Sequence, residues 1–132
     1  PHLPGYDTTQ IQATVKASSQ SNSDTTNALR KKISGILKDI DNNPNNIDHW
    51  ALLGDTLIAA GQYDGAEEAY QRAYKLDSSD KEIGADYAEA RILNNMGRVD
   101  QYTVSLLTSL LSESPRLPKA LFYLGLGKAQ SG

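Results

Sequence analysis

The chain has 132 residues, of which 39% are hydrophobic, and a formal net charge of −3. This length and composition suit one compact domain or a short array of repeats with a modest core. The net charge argues against a nucleic-acid partner, since proteins that bind a phosphate backbone usually present a clustered basic face. The absence of cysteine excludes disulfides, thiol nucleophiles and thiolate metal sites.

The first 24 residues carry few apolar side chains and many Ser, Thr, Gln and Asn residues. A stretch of this composition buries too little apolar surface to fold alone, so we predict a flexible tether over residues 1–24, largely mobile unless it packs back on the body. The chain begins at Pro1 rather than at Met, which indicates a piece of a longer protein. No apolar run approaches the roughly 20 residues that span a bilayer, so we expect no direct membrane insertion by this fragment.

From about Asp24 onwards the apolar residues recur three and four apart, which places them on one face of a helix. Proline and glycine interrupt this pattern, because proline cannot continue a helix and glycine favours its C-terminal end. The spacing predicts six helices, and no segment alternates as a strand would. We therefore expect an all-α domain over residues 25–132. The last helix begins near Pro118 and directs Leu121, Leu124 and Ala129 inward.

The turns between these helices recur at a nearly constant interval. Pro44, Ser78 and Pro115 occupy equivalent turns, 34 and then 37 residues apart. A period of about 34 residues with paired helices is typical of tetratricopeptide repeats, which form right-handed superhelices of antiparallel helix pairs. The predicted array has repeat one at 47–80, repeat two at 81–117 and a partial repeat three at 118–132.

Repeat one carries the signature residues of this family. Numbered from Ile47, it has a large residue, Leu, Gly, Ala, an aromatic residue and Ala at positions 4, 7, 8, 20, 24 and 27, namely Trp50, Leu53, Gly54, Ala66, Tyr70 and Ala73. The small residues allow two helices to approach closely, and the aromatic side chains fill the space beside them. We therefore interpret the glycines and alanines as helix contacts rather than as a ligand site.

The resemblance to tetratricopeptide arrays implies a concave groove lined by the first helix of each repeat. By analogy the peptide-binding groove contains Asp48, Ala51, Asp55, Ile58 and Ala59 of repeat one, Glu82, Ala85, Glu89, Ile92 and Leu93 of repeat two, and Lys119, Phe122 and Leu126 of repeat three. An apolar floor with acidic flanks suits an amphipathic helix with basic edges. The alternative is that these acids are ordinary solvated surface and that the apolar residues contact neighbouring repeats.

Two longer stretches carry a narrower resemblance, "GADYAEARILNNMGRV" from Gly84 and "SLLTSLLSESPRLPKALFYLGLGKAQSG" from Ser105. An Ala-Glu-Ala helix ends at Gly97, a helix ending in Leu-x-x-x-Pro follows, and the last helix has an Ala…Leu-Gly core. In this order the motifs resemble the periplasmic tetratricopeptide domain of the CycH/CcmI-type cytochrome c biogenesis proteins, over roughly residues 27–132. Arg91 stands where that family commonly has an apolar residue.

The resemblance implies a non-enzymatic chaperone, the periplasmic domain of an inner-membrane-anchored protein. Such a domain binds the C-terminal helical segment of apocytochrome c and presents it to the haem lyase complex. Its implied partners are therefore apocytochrome c and the subunits of that complex, and it needs no cofactor or metal of its own.

Other functions are weighed against this one. A scaffold subunit of another envelope assembly complex stays open as an alternative. A co-chaperone with a carboxylate clamp is disfavoured, since Ala51 and Asp55 stand at groove positions where a clamp needs Lys or Asn. Catalysis is disfavoured because the chain has no HExxH, phosphate loop or Ser/His/Asp pattern, and His49 lacks partners at metal-ligand spacing. Glu68 and Arg72, four apart, suit an exposed ion pair better than a catalytic role.

Overall fold

The computed structural model describes Ile11 and residues 24–132 of the chain. Residues 24–132 contain no strand and form six helices, which confirms the predicted all-α class. The helices are α1 (Asp24–Asn42), α2 (Ile47–Ala59), α3 (Tyr63–Leu76), α4 (Lys81–Asn94), α5 (Gln101–Glu113) and α6 (Pro118–Gln130). Apart from Ile11 and Asp24, the predicted tether lies outside the described residues.

Ile11 is helical and only 1% exposed, and it belongs to the main hydrophobic core. It lies beside α3, where a Cβ atom built on Gly65 would be 3.8 Å from its side chain. At this residue the segment packs back on the body of the domain. Composition averaged over 24 residues overlooks a single apolar anchor, although burying one isoleucine contributes about 1.5–3 kcal/mol.

Local side-chain and backbone contacts set the helix ends. The side chains of Asn46, Asp80 and Asp100 cap α2, α4 and α5 by accepting a hydrogen bond from a backbone N–H in the first turn. Such caps satisfy donors that have no partner within the helix. Gly61 and Gly97 follow α2 and α4 with φ of 75° and 83°, a left-handed conformation that L side chains rarely adopt.

Each helix packs on its neighbours in the chain, and α4 also contacts α6. The larger core lies among α1, α2, α3 and α4, and includes Trp50, Leu57 and Tyr70. A smaller core joins α4, α5 and α6 around Ala88, Leu107 and Ala120. Connections as short as the three residues between α2 and α3 make consecutive helices antiparallel, so the chain builds a row of helix pairs.

The close approach of helices in repeat one explains its small residues, as predicted. A Cβ atom on Gly54 would lie 2.5 Å from the ring of Tyr70, far inside van der Waals contact. Ala66 and Ala73 are fully buried at the same joint. Trp50 is also buried, and its indole N–H donates to the carbonyl of Pro44, 2.7 Å away, which ties α2 to the turn before it.

The apolar face of α6 differs from the prediction. Leu121, expected to point inward, is 51% exposed, and Ala129 is exposed as well. Leu124 is partly buried against the smaller core. The reason is positional, because Leu121 and Gly125 correspond to the residues that face the second helix in repeat one, and no helix of the described chain covers them here.

Candidate functional site

A cleft of about 610 Å³ lies between α4 and the beginning of α6. It brings together five residues of the predicted groove with four that were not predicted. The lining consists of Glu82, Ala85, Asp86 and Glu89 from α4, together with Leu117, Pro118, Lys119, Phe122 and Tyr123.

Helical spacing explains this lining. Glu82, Asp86 and Glu89 are four and three residues apart, which places their carboxylates on one face of α4. Pro118 begins α6, where its fixed φ and missing N–H suit the first turn. The residues of that turn and the next one then lie opposite the acidic face of α4.

A polar network crosses the cleft and is centred on Lys119. Its Nζ donates to Asp86 Oδ1 at 2.6 Å and to Glu89 Oε1 at 3.1 Å. The hydroxyl of Tyr123 donates to the other oxygen of Glu89 at 2.7 Å. These four residues of α4 and α6 are thus joined in one network across the cleft.

The pKa values of the two donors follow from this network. Burial alone would lower the pKa of Lys119, but its hydrogen bonds to Asp86 and Glu89 outweigh burial and raise it. Burial, followed by the hydrogen bond to Glu89, raises the pKa of Tyr123 to about 12. Near neutral pH, Lys119 therefore remains charged and Tyr123 remains protonated.

Phe122 supplies an apolar surface beside these charges. Its side chain is 66% exposed, and its ring meets the ring of Tyr123 edge-on with centroids 5.0 Å apart. Ala85 forms part of the floor and is almost fully buried. An exposed aromatic ring next to carboxylates can hold an apolar side chain of a partner while the carboxylates bind its cations.

The groove residues predicted in α2 do not line this cleft, although Asp55 is coupled to it electrostatically. The hydroxyl of Tyr70 donates a hydrogen bond to Asp55. Burial, followed by the negative charge of Asp86, raises the pKa of Asp55, and Lys119 acts in the opposite direction. Asp55 therefore extends the acidic surface of α4 towards α2. Of the other residues, Asp48 and Ala59 are exposed, while Ala51 and Ile58 pack partly against the core.

Ile92 was predicted to line the groove, and this prediction is wrong. Its side chain is 1% exposed and therefore inaccessible to a peptide. The helix α6 runs beside α4. At its start Lys119 contacts Asp86, and at its end the side-chain amide of Gln130 donates to the carbonyl of Gly97 at 2.7 Å. Ile92 lies in the last turn of α4 and belongs to the buried residues of that helix. Leu93 and Leu126 are partly buried and also lie outside the cleft.

Sequence reasoning missed Asp86, Leu117, Pro118 and Tyr123. Asp86 and Tyr123 each follow a predicted groove position by one residue, so a list of fixed repeat positions passes over them. A signal for Asp86 was present, since it lies four residues after Glu82 and three before Glu89. No comparable signal marks Tyr123, whose role depends on how α6 packs against α4.

Two further properties of the described residues bear on the function. Within them, no group of three His, Cys, Asp or Glu side chains is placed to hold a metal ion. His49, set aside as a ligand in the sequence, is half-buried at the start of α2. None of the helices in 24–132 has the length and apolar character needed to cross a membrane.

Comparison with known proteins identifies the family. The family model for the TPR domain of cytochrome c-type biogenesis protein H matches residues 7–132. Cytochrome c-type biogenesis protein CycH of Rhizobium meliloti (strain 1021) is 33% identical over 90 residues, which are 68% of this chain and 24% of that protein. The CcmH proteins of Escherichia coli (strain K12) and Shigella flexneri are each 36% identical over 56 residues, 42% of this chain and 16% of theirs.

The chain thus matches no more than about a quarter of the length of these relatives. The family match begins at residue 7 rather than near residue 27, so it includes Ile11, which the structure places in the core. It also covers α1 to α6 without interruption. The chain belongs to the family of cytochrome c-type biogenesis protein H TPR domains.

Proposed function

We propose that this domain acts in cytochrome c maturation as a non-enzymatic binding module. It binds the C-terminal helical segment of apocytochrome c and presents that chain to the haem lyase complex. In this proposal it works in the periplasm as part of an inner-membrane-anchored protein. Family membership supports a role in cytochrome c maturation, because the relatives are named as cytochrome c-type biogenesis proteins.

The observation that carries the proposal is the exposed ring of Phe122 beside the carboxylates of α4. An amphipathic helix can place an apolar side chain on this ring and direct basic residues towards Glu82, Asp86 and Glu89. A volume of about 610 Å³ accepts side chains of a helix rather than the whole helix. The partner therefore lies across the cleft with an apolar anchor inserted.

Charge also favours a basic partner. Three carboxylates and one ammonium group line the cleft, and Asp55 adds a negative charge nearby. Complementary charge accelerates encounter and disfavours acidic competitors. A lysine-rich amphipathic helix has the complementary charge.

The state of the polar groups supports binding rather than catalysis. Lys119 and Tyr123 have raised pKa values and are hydrogen-bonded to carboxylates. General acid–base catalysis works best with a group whose pKa lies near the working pH. Neither group meets that condition near neutral pH.

Titration calorimetry with synthetic C-terminal helices of c-type cytochromes tests the proposal. We expect micromolar binding that scrambled peptides of equal composition lose. Phe122→Ala removes the apolar anchor and should weaken binding about tenfold, and Asp55→Lys should weaken it by reversing a charge. Leu121→Ala is the matched control, since Leu121 is the exposed neighbour outside the cleft, and it should leave the affinity unchanged.

Each remaining outcome has a definite meaning. If Phe122→Ala does not change binding, the cytochrome helix remains the partner, but this cleft is not its binding site. If a folded domain binds none of the cytochrome helices, the proposal is wrong. A scaffold subunit of another envelope assembly complex would then be favoured.

A further inference from the structure

Lys119 places a cation of the domain itself in the cleft. Its Nζ is 2.6 Å from Asp86 and 3.1 Å from Glu89, and its side chain is 38% exposed. Among the described residues that line the cleft, Lys119 is the only basic one. It therefore occupies two of the three carboxylates that a basic partner would meet next to Phe122.

The ion pairs of Lys119 can be exchanged. The lysine lies in the first turn of α6 and its side chain is partly exposed, so its flexible four-carbon stem can move into solvent without unpacking a helix. An incoming ammonium or guanidinium group restores the same charge pairs on Asp86 and Glu89. Partly exposed ion pairs contribute little each, so the exchange is close to balanced.

We propose that Lys119 is an intramolecular competitor of the partner, displaced from Asp86 and Glu89 when a lysine or arginine of a basic amphipathic helix binds. The inference rests on the proposed function for the nature of that partner. Competition weakens binding and speeds dissociation, since the returning Lys119 takes up the carboxylates as the partner leaves. A domain that must pass its partner on benefits from such release.

Lys119→Met tests this inference, because methionine keeps an unbranched apolar chain and removes the charge. Lys128→Met is the matched control, since it changes the net charge equally at an exposed position of the same helix. The probes are a C-terminal cytochrome helix and an unrelated designed amphipathic helix with lysines along one edge. Each peptide is also used with its lysines acetylated.

We expect Lys119→Met to bind both lysine peptides about three- to fivefold more tightly than the wild type, chiefly through slower dissociation. Acetylated peptides should show no gain, and Lys128→Met should match the wild type. In the wild type, the 15N signal of the Lys119 ammonium group should move towards that of a solvated lysine when peptide is added. This measurement requires no variant to fold.

Affinity that is unchanged or weaker in a folded Lys119→Met domain would overturn the inference, as would an equal gain for acetylated peptides or an unmoved Lys119 signal. The two peptides separate this inference from the proposed function. If only the designed helix binds and shows the Lys119 effect, competition stands and the cytochrome partner is rejected. If the cytochrome helix binds without the Lys119 effect, the cytochrome partner stands and the competition is rejected. If neither peptide binds, both the competition and the cytochrome partner are rejected.

Discussion

At the scale of single residues, Gly54 and Gly125 show how one residue type serves different purposes at equivalent repeat positions. Both are the eighth residue of a first helix. A Cβ atom on Gly54 would lie 2.5 Å from the ring of Tyr70, whereas, apart from adjacent residues and the backbone of its own helix, no described atom lies within 4 Å of the corresponding point on Gly125. Only Gly54 is therefore required by packing.

Alanine substitutions at these two positions should change stability in opposite directions. Gly54→Ala forces apart α2 and the buried ring of Tyr70, and should lower the free energy of unfolding by about 1–3 kcal/mol. Gly125→Ala adds no clash and reduces the flexibility of the unfolded chain, so it should raise that free energy by roughly 0.5–1 kcal/mol. Urea denaturation measures both, and equal effects would contradict the packing role of Gly54.

At the scale of helices, Arg91 connects three of them. Its guanidinium donates to Thr103 at 3.0 Å and to Asp100 at 2.9 Å at the start of α5, and reaches Glu67 of α3 at 3.4 Å. It also lies 4.4 Å from the ring centroid of Tyr102. Arg91 thus joins repeat one to repeat two by polar contacts.

Replacing Arg91 should loosen this junction. Arg91→Ala removes the hydrogen bonds to Thr103, Asp100 and Glu67 and should lower the free energy of unfolding by roughly 1–3 kcal/mol. Arg91→Lys keeps the charge but loses the planar fork, so it should recover only part of the loss. Thermal and urea unfolding measure these effects against Arg98→Ala, an exposed control. If Arg91→Ala behaves like that control, the junction is held by apolar packing alone.

At the scale of the whole molecule, the two cores are unequal. The larger joins α1 to α4 and the smaller joins α4 to α6. In repeat arrays each unit is stabilised mainly by its immediate neighbours. The helix α3 packs between α2 and α4, whereas one face of α6, marked by Leu121 and Gly125, has no neighbour in the described chain.

We therefore expect hydrogen exchange to differ along the molecule. Backbone amides of α6 should open at lower free energy than those of α3, because fewer packed side chains hold them. Gly125→Ala should slow exchange in α6 and leave α3 unchanged, which serves as an internal control. Uniform protection from α2 to α6 would show one cooperative unit instead.

Part of the cleft could be predicted from the sequence. Glu82, Ala85 and Glu89 follow from the resemblance to tetratricopeptide arrays, whose groove positions include these three. Lys119 was predicted as a groove residue, but its ion pairs to Asp86 and Glu89 join residues about 30 positions apart in the chain. Contacts of that kind depend on the placement of α6 against α4, which no local pattern encodes.

The sequence by itself determined the helices, the glycines that end two of them, the close contact of small and aromatic residues in repeat one, and the family. These features depend on residues within a single helix or helix pair, where periodicity and turn chemistry act directly. Only the tertiary structure decided that Ile11 joins the core, that Ile92 is covered and that Leu121 is open. It also decided that Lys119 occupies the acidic cleft. These outcomes depend on which surfaces of distant helices meet, and the same apolar side chain is buried or exposed according to whether a neighbouring helix covers it.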